Sequence, residues 1–488
     1  MEEKNNEKQL SKGMNAGAVW ALAVGAIIGW GCFIQGGEWT KQAGGPVALI
    51  LGFVIGVGLM IVIGLCYSYL IPKIRVAGGE FAYAYYSFGR KSAFACGWMM
   101  LLGYITLAAM NATAIPVLAS YIFPKLFKFG YLYTMAGYRV YLGEVLLSIF
   151  FLLLFAVLNY WGIRKTGKIQ LYMAILLCLT VAIAVAGTFV TGGTSIENLK
   201  PYYGANKSLV AGVLSILVVT PYCFVGFDTI PQAAEEYAFP HEKVKQLIVS
   251  ALLIGALIYI SMAVITDVVI PWQDLFGLKE ANGDHVKWLT GAMLERSMGR
   301  IGTSFISVAV MMAICTGING FYLASSRLLF SMGRARMLPG IFSKISTKHH
   351  TPSVALAFVM VICFICPFFG RNVLSWVIDM CSVGTGIGYC YTCAAAFRMA
   401  RADHSENSLN PVIALGGTLI SALILALLLL PISPAQMKMP SFVALGVWVL
   451  LGIIFYLIKR KEIRHISDND LDLLILGKRK GEILEDEE

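Results

Sequence analysis

Two apolar stretches carry residue types that can do chemistry with their backbone alone. Residues 25 to 37 read GAIIGWGCFIQGG, with five glycines in an otherwise apolar run. Residues 220 to 236 read TPYCFVGFDTIPQAAEE, with Pro221, Gly226 and Pro231 inside a helical pattern. Glycine in a helix interior costs roughly 1 kcal/mol against alanine, and proline removes a backbone hydrogen bond and clashes with the preceding turn. Both stretches therefore read as helices broken near their middle. Beyond the first break, around Gly29 and Gly31, the free N–H groups of Trp30 to Phe33, Cys32 among them, present the positive end of a helix dipole. That end suits a carboxylate. At the second break the outer half-helix ends near Pro221 to Phe224, and the carbonyl oxygens of the run Tyr222, Cys223, Phe224, Val225 and Gly226 suit an ammonium group. An anion receptor beside a cation receptor describes an α-amino acid better than other common metabolites. The plainer reading makes Gly25 and Gly29, four apart, a helix-packing pair, a role that fits Gly52, Gly56 and Gly64 better.

Such breaks need long apolar elements to hold them. The chain is 58% hydrophobic and 14% charged, where soluble domains sit near roughly 45 to 50% and about 25%. Stretches of the length that spans a bilayer, about 20 residues, fall near 16–36, 46–71, 93–123, 141–161, 168–190, 208–236, 244–270, 300–331, 352–369, 373–397, 410–430 and 440–458. The expected fold is all-α and integral to the membrane, with twelve transmembrane helices. The first follows a charged tail without an A-x-A-like cleavage site and reads as a retained span. With the N-terminus inside, the inner loops and tails hold 26 of the 38 lysines and arginines, so the positive-inside rule places both termini in the cytoplasm; the plasma membrane is the expected location.

Gly29 and Gly226 are separated by about the length of five spans with their loops, so each break opens a five-helix block. Five is odd, and a second such block enters from the opposite face, which is the inverted-repeat plan of many secondary transporters. The expected organisation is a tail at 1–13, a first repeat at 14–190, a second at 208–400, helices 11 and 12 at 410–460 and a tail at 461–488. Irregular backbone at membrane depth survives where it is buried or lines a cavity, so the breaks line one. The eleven cysteines include Cys363-x-x-Cys366 and Cys390-x-x-Cys393, but both pairs lie in apolar spans without histidine nearby and read as packing residues. No metal or cofactor is expected.

The motifs themselves, GAIIGWGCF in the first span, PKIRVAGGEFAYAYYSFGR after the second, FVGFDTIPQAAEE in the sixth and NGFYLASSRLLFSMGRARMLP in the eighth, resemble those of the amino acid, polyamine and organocation transporters, in order, over roughly residues 16 to 400. The resemblance implies a LeuT-like five-plus-five fold. Two departures stand out. Many members carry serine where Trp30 stands, so its side chain points either into the pocket, making it small or aromatic, or away into packing. Many proton-coupled relatives carry a lysine in the fifth span where others hold sodium, and counting from Gly162 puts Leu177 there.

Ionisable residues within spans are functional by default. Asp228 reads first as a cap on the inner half-helix and second as the coupling candidate, in proton or gating chemistry. Glu235 and Glu236 pair with basic loop residues at the inner gate, Asp267 and Glu144 fall at solvated outer helix ends, and Asp379 faces the core. Side-chain selectivity is expected from Phe224, Asn111, Thr316 and Asn319, with Phe227 as a gate over the ligand. The resulting function is a permease moving an amino acid by alternating access, proton-coupled or by exchange, as symporter or antiporter; its partners are a small-molecule amino acid, protons and the lipid bilayer, with no nucleic acid. A polyamine or amine permease of the same fold is the alternative, and it needs carboxylates at the midplane. The spans contain no H-E-x-x-H, no G-x-S-x-G and no histidine, so a membrane enzyme lacks its parts, and a channel lacks its charge rings.

Overall fold

The computed structural model describes residues 10–485 apart from 124, 136, 205–206, 279–285, 287, 371–373, 406–407 and 431–436. Residues 1–9 and 486–488 of the two expected tails, and the first residue of the expected tenth span, lie outside the described residues. The chain is a helical bundle: α1 (Ala16–Ile27), α2 (Gly31–Ala43), α3 (Pro46–Lys73), α4 (Glu80–Phe88), α5 (Arg90–Ile122), α6 (Leu142–Tyr160), α7 (Ile163–Val190), α8 (Leu209–Leu217), α9 (Thr220–Cys223), α10 (Val244–Asp267), α11 (Leu289–Arg334), α12 (Ser353–Ile365), α13 (Leu374–Ala402), α14 (Pro411–Leu429), α15 (Met439–His465) and α16 (Asp468–Leu476). A two-stranded antiparallel hairpin, Tyr131–Met135 with Tyr138–Tyr141, joins α5 to α6.

Among the described residues eight helices are long and apolar enough to cross a membrane, and α1 with α2, bent by 46°, makes a ninth. The chain is thus a multi-pass membrane protein. The other three expected spans take different forms. The sixth is divided into α8, α9 and two 3-10 turns, Phe227–Thr229 and Pro231–Glu236. The ninth is the short α12 followed by a 3-10 turn to Phe369, and the tenth is α13, whose threonines, serine and aspartate make it less apolar.

Local signals explain the ends. Asn15 caps α1, its side chain accepting from the Ala18 N–H at 2.8 Å, and Asn410 caps α14 ahead of Pro411 in the first turn. In the bundle α11 packs on α5 and α7, α13 on α5 and α14, and α10 on α3, while α1 lies against α7, α10 and α11. Helix α5 is almost wholly enclosed, whereas α14 and α15 show most of their surface outward, as lipid-facing helices do. Gly52 and Gly56 of α3 let Ile216 and Thr220 approach so closely that a Cβ would clash. These are the packing glycines.

Candidate functional site

The first break lies between Ile27 and Gly31. Ile28 still donates to Val24 O at 2.9 Å, Gly29 turns back to Ile27 O at 2.9 Å, and the chain re-enters a helix with long bonds from Cys32 to Gly29 O (3.4 Å) and Phe33 to Trp30 O (3.2 Å). Part of the N–H array expected to be free is therefore drawn into a tight turn, by bonds near the weak limit. A Cβ placed on Gly29 or Gly31 would meet nothing within 4 Å. Those glycines face space, and Trp30 between them is partly buried.

The second break follows Cys223, and Gly226 takes φ +137°. A Cβ there would sit 2.5 Å from the Ala26 carbonyl carbon and 2.6 Å from the Ile27 nitrogen. The two breaks are in direct contact. One side chain serves both, because the Tyr259 hydroxyl of α10 lies 3.0 Å from Ile27 O and 3.0 Å from Cys223 O. Its single hydrogen is shared between the ends of two broken helices. The Tyr259 ring is held by Phe53, Trp39 and Phe224, at centroid distances of 5.5, 5.5 and 5.8 Å. Sequence reading missed Tyr259; its one signal was a tyrosine inside the apolar seventh span.

The structure brings the two breaks together at Gly226 on Ala26 and Ile27, and through Tyr259 between Ile27 and Cys223. Phe224 is fully buried against Tyr259, and Cys32 and Cys223 are buried as well. Tyr222 points its hydroxyl at the sulfur of Met110 at 3.6 Å, and with Pro221, Val225, Ser382, Thr385 and Tyr389 it lines a cleft beside the break. Asn111 donates to Leu107 O at 2.9 Å, while its Oδ1 is buried without a partner against Gly317. Thr316 is committed elsewhere, its hydroxyl lying 3.0 Å from Gly25 O and within reach of two carbonyls of its own helix.

The Phe227 ring is fully buried, stacked on Tyr389 at 5.5 Å and edge-on to Tyr67 at 5.2 Å. Asp228 does not cap an inner α-helix, since that half is built of 3-10 turns. It accepts instead from the Gly226 N–H at 2.7 Å and the Tyr389 hydroxyl at 3.4 Å, which fixes the left-handed glycine, and its Oδ2 is buried without a partner.

The fifth-span residue that bonds to α1 is Gln170, two turns before the buried Leu177. Its Nε2 donates to Ala21 O (3.1 Å) and Thr316 O (3.3 Å), and its Oε1 accepts from Asn319, which in turn accepts from Asn159. This chain of amides joins α1, α6, α7 and α11.

At the inner end Glu236 pairs with Arg327 through 2.9 and 3.1 Å bonds, both side chains almost fully buried, and Glu235 pairs with Arg334 at 2.9 Å. The arginines belong to the end of α11 rather than to a loop. Glu235 also accepts from Leu10 N and Ala77 N, and the Glu236 carbonyl accepts from Gly13 N and Met14 N. Three other expectations change. Asp267 is fully buried, accepting from Thr40 at 2.6 Å with Oδ1 unpartnered, and Glu144 is buried beside Tyr138 and Ser120; packing from α2 and the hairpin covers these helix ends. Asp379 does not face the core but accepts from Ser441 at 2.6 Å and Lys438 N at 3.3 Å, tying α13 to α15.

The family model described as amino acid permease matches residues 18–455. The chain is similar to the branched-chain amino acid permease BcaP of Bacillus subtilis (strain 168), 27% identical over 72% of this chain and 74% of that one. It is 26% identical to the vacuolar cationic amino acid transporter 4 of Arabidopsis thaliana, over 77% of this chain but only 61% of that longer protein. It is also 24% identical to the aspartate-proton symporter of Bacillus subtilis (strain 168), over 82% of this chain and 75% of that one.

Proposed function

We propose a function from one premise: the chain belongs to the amino acid permease family. It moves an amino acid across the cytoplasmic membrane by alternating access, taken up with protons or exchanged for another amino acid. Twelve spans follow the LeuT-like plan, with inverted repeats at 14–190 and 208–400, helices 11 and 12 outside them, and both tails in the cytoplasm. The substrate carboxylate is received by the backbone of Gly29 to Cys32, with Trp30 as a wall, and the ammonium by the carbonyls of Phe224 and Val225. Tyr222 and Asn111 line the remainder, Phe227 gates it, and Asp228 bears on coupling.

The observation that carries this reading is the contact of the two breaks, Gly226 against Ala26 and Ile27, beside glycines that face open space. Two interrupted helices are costly, and a backbone receptor is the return on that cost. Gln170 supports a cycle without sodium, since its neutral amide already donates to the α1 and α11 carbonyls that a cation between those helices would need. The polyamine reading draws on one observation, the unpartnered Oδ2 of Asp228.

The test is a thermal-shift screen of purified protein against amino acids, their decarboxylated analogues and polyamines. A binder at a hundred times its Kd stabilises by about 2.7 kcal/mol. Stabilisation by amino acids and not by their amines is expected; the reverse result transfers the protein to the polyamine reading.

A further inference from the structure

Beneath the second break lies a carboxylate that nothing above assigns. Glu80 opens α4 and is fully buried. Its Oε1 accepts from the Tyr67 hydroxyl of α3 at 2.9 Å and lies 3.5 Å from the Tyr104 hydroxyl of α5, while its Oε2 accepts from the Gln232 amide of the 3-10 turn. Tyr104 in turn donates to the Asp228 carbonyl at 2.9 Å. Among the described residues neither Glu80 nor Asp228 makes an ion pair.

Among the described residues the surroundings offer no free cation to balance them. Helix α5 adds Cys96, whose thiol reaches the Glu80 carbonyl at 3.6 Å, and α13 adds Tyr389, on Asp228. Tyr83 lies on α4 itself, its buried hydroxyl unpartnered. The near arginine, Arg327 of α11, gives its guanidinium to Glu236. Arg398 of α13 reaches Ser87 O at the far end of α4, and Asp472 of α16 is held by Tyr85 and the Lys480 N–H. A buried carboxylate without a cation is a place where a proton binds.

A second observation points the same way. Gln232 gives its amide hydrogen to Glu80 and leaves its own Oε1 buried without a donor, and Asp228 Oδ2 is equally without one. A half-turn of the Gln232 amide would let Oε1 accept from a protonated Glu80, so the pair has two complete arrangements, one for each protonation state.

We propose that Glu80 is the proton-binding group of the transport cycle, and that its charge controls the inner half of the broken span. As an anion Glu80 receives charge-assisted bonds, the stronger kind, from Tyr67 and Gln232, and these fasten the 3-10 turn to α3 and α4. A proton arriving from the aqueous side forms the O–H bond on Glu80, weakens those bonds and frees the turn that carries Gln232, Glu235 and Glu236. The loop before Glu80 is already packed on that turn, since a Cβ on Gly79 would lie 2.9 Å from Pro231 and 3.1 Å from the Gln232 amide. The inference rests on the permease reading and names its coupling site.

The test uses the full chain in proteoliposomes with a uniformly 14C-labelled mixture of the proteinogenic amino acids. An acid-outside gradient is expected to drive accumulation several-fold above equilibration in the parent protein. Glu80→Gln, a neutral mimic of the protonated acid, is expected to lose that accumulation at least five-fold while still catalysing counterflow, and Glu80→Asp to restore part of it. Accumulation by Glu80→Gln at the parent level overturns the proposal and leaves the permease reading standing. Counterflow without pH-driven accumulation in the parent protein removes proton coupling, and this proposal with it, but not amino acid exchange. Absence of both in the parent protein removes the permease reading itself. Should Glu80→Gln fail to fold, Tyr67→Phe decides: loss of one donor to the anion moves the pH midpoint of uptake upward by about half a unit or more, and an unmoved midpoint in folded protein overturns the proposal.

Discussion

Gly226 and Ala26 touch backbone to backbone: a Cβ on Gly226 would lie 2.5 Å from the Ala26 carbonyl carbon, at a φ of +137° that other residues rarely adopt. Gly31 differs in both respects, with space around it and helical backbone. Gly226→Ala is therefore expected to destabilise the fold by about 2 kcal/mol or more, read as a lower melting temperature in detergent. Gly31→Val is expected to leave the melting temperature within a few degrees and to abolish amino acid binding, because its side chain fills the approach to the backbone receptor. Native affinity in folded Gly31→Val contradicts the carboxylate site.

Tyr259→Phe keeps the ring among Phe53, Trp39 and Phe224 and removes the one hydroxyl shared by Ile27 O and Cys223 O. Ile27 O keeps the Gly29 N–H, whereas leaving the buried Cys223 carbonyl unpaired costs about 1 to 3 kcal/mol. A melting temperature lowered accordingly, with uptake reduced by about tenfold as the two breaks lose their common anchor, is the expected result. Uptake at the parent rate shows that the hydroxyl is ornamental to transport.

The breaks were legible because glycine and proline violate helix periodicity, and violations are visible in one dimension. Their partners were not. Tyr259, Gln170 and Glu80 act on residues 13 or more positions away, through side chains that look like ordinary members of an amphipathic or apolar run. Asp267 and Glu144 sit at helix ends, where a one-dimensional reading supplies water; α2 and the hairpin supply cover instead. Asp228 read as an α-helix cap because a prolonged helix was assumed after it, whereas Pro231 and Gly226 hold that segment in 3-10 turns.

Gln170→Ala removes the donor to Ala21 O and Thr316 O and the acceptor of Asn319. A loss of about 1 to 3 kcal/mol is expected from the unpaired buried groups. Uptake by the parent protein should be the same in sodium and in potassium at constant pH and membrane potential. A reproducible several-fold stimulation by sodium contradicts the sodium-free cycle.

Asp403, in the loop after α13, forms a 3.0 Å ion pair with Lys73, both side chains about 95% covered. Burial pushes its carboxyl up, but hydrogen bonds from Tyr69, from the Ser405 N–H and from Lys73 outweigh that and hold it below the usual carboxylate range. A depressed carboxyl contributes stability that is full above its unfolded value, about 3.9, and that is lost as pH falls below it. The melting temperature of the parent protein should therefore fall as pH drops from about 4 toward 2. Asp403→Asn should start lower at neutral pH and fall less over the same interval. An identical acid slope in both proteins removes this pair from the acid response.

Asp228 and Glu80 are both fully buried near Tyr104, which donates to the Asp228 backbone carbonyl, and the charge of Asp228 is felt at Glu80. Asparagine at 228 keeps an oxygen for the Gly226 N–H and caps a turn about as well as aspartate, so Asp228→Asn should fold and perform counterflow. If Asp228 alone carried the proton, pH-driven uptake would vanish in this variant and counterflow would be left without pH dependence. If Glu80 carries it, uptake persists, but Glu80 is released from a neighbouring negative charge and holds its proton less tightly. The pH midpoint of uptake should then move to lower pH, by roughly one unit for a buried pair at this separation. Measured as initial uptake rate against pH in proteoliposomes at fixed membrane potential, a shifted but intact profile is the expected outcome, and a flat profile assigns the proton to Asp228 instead.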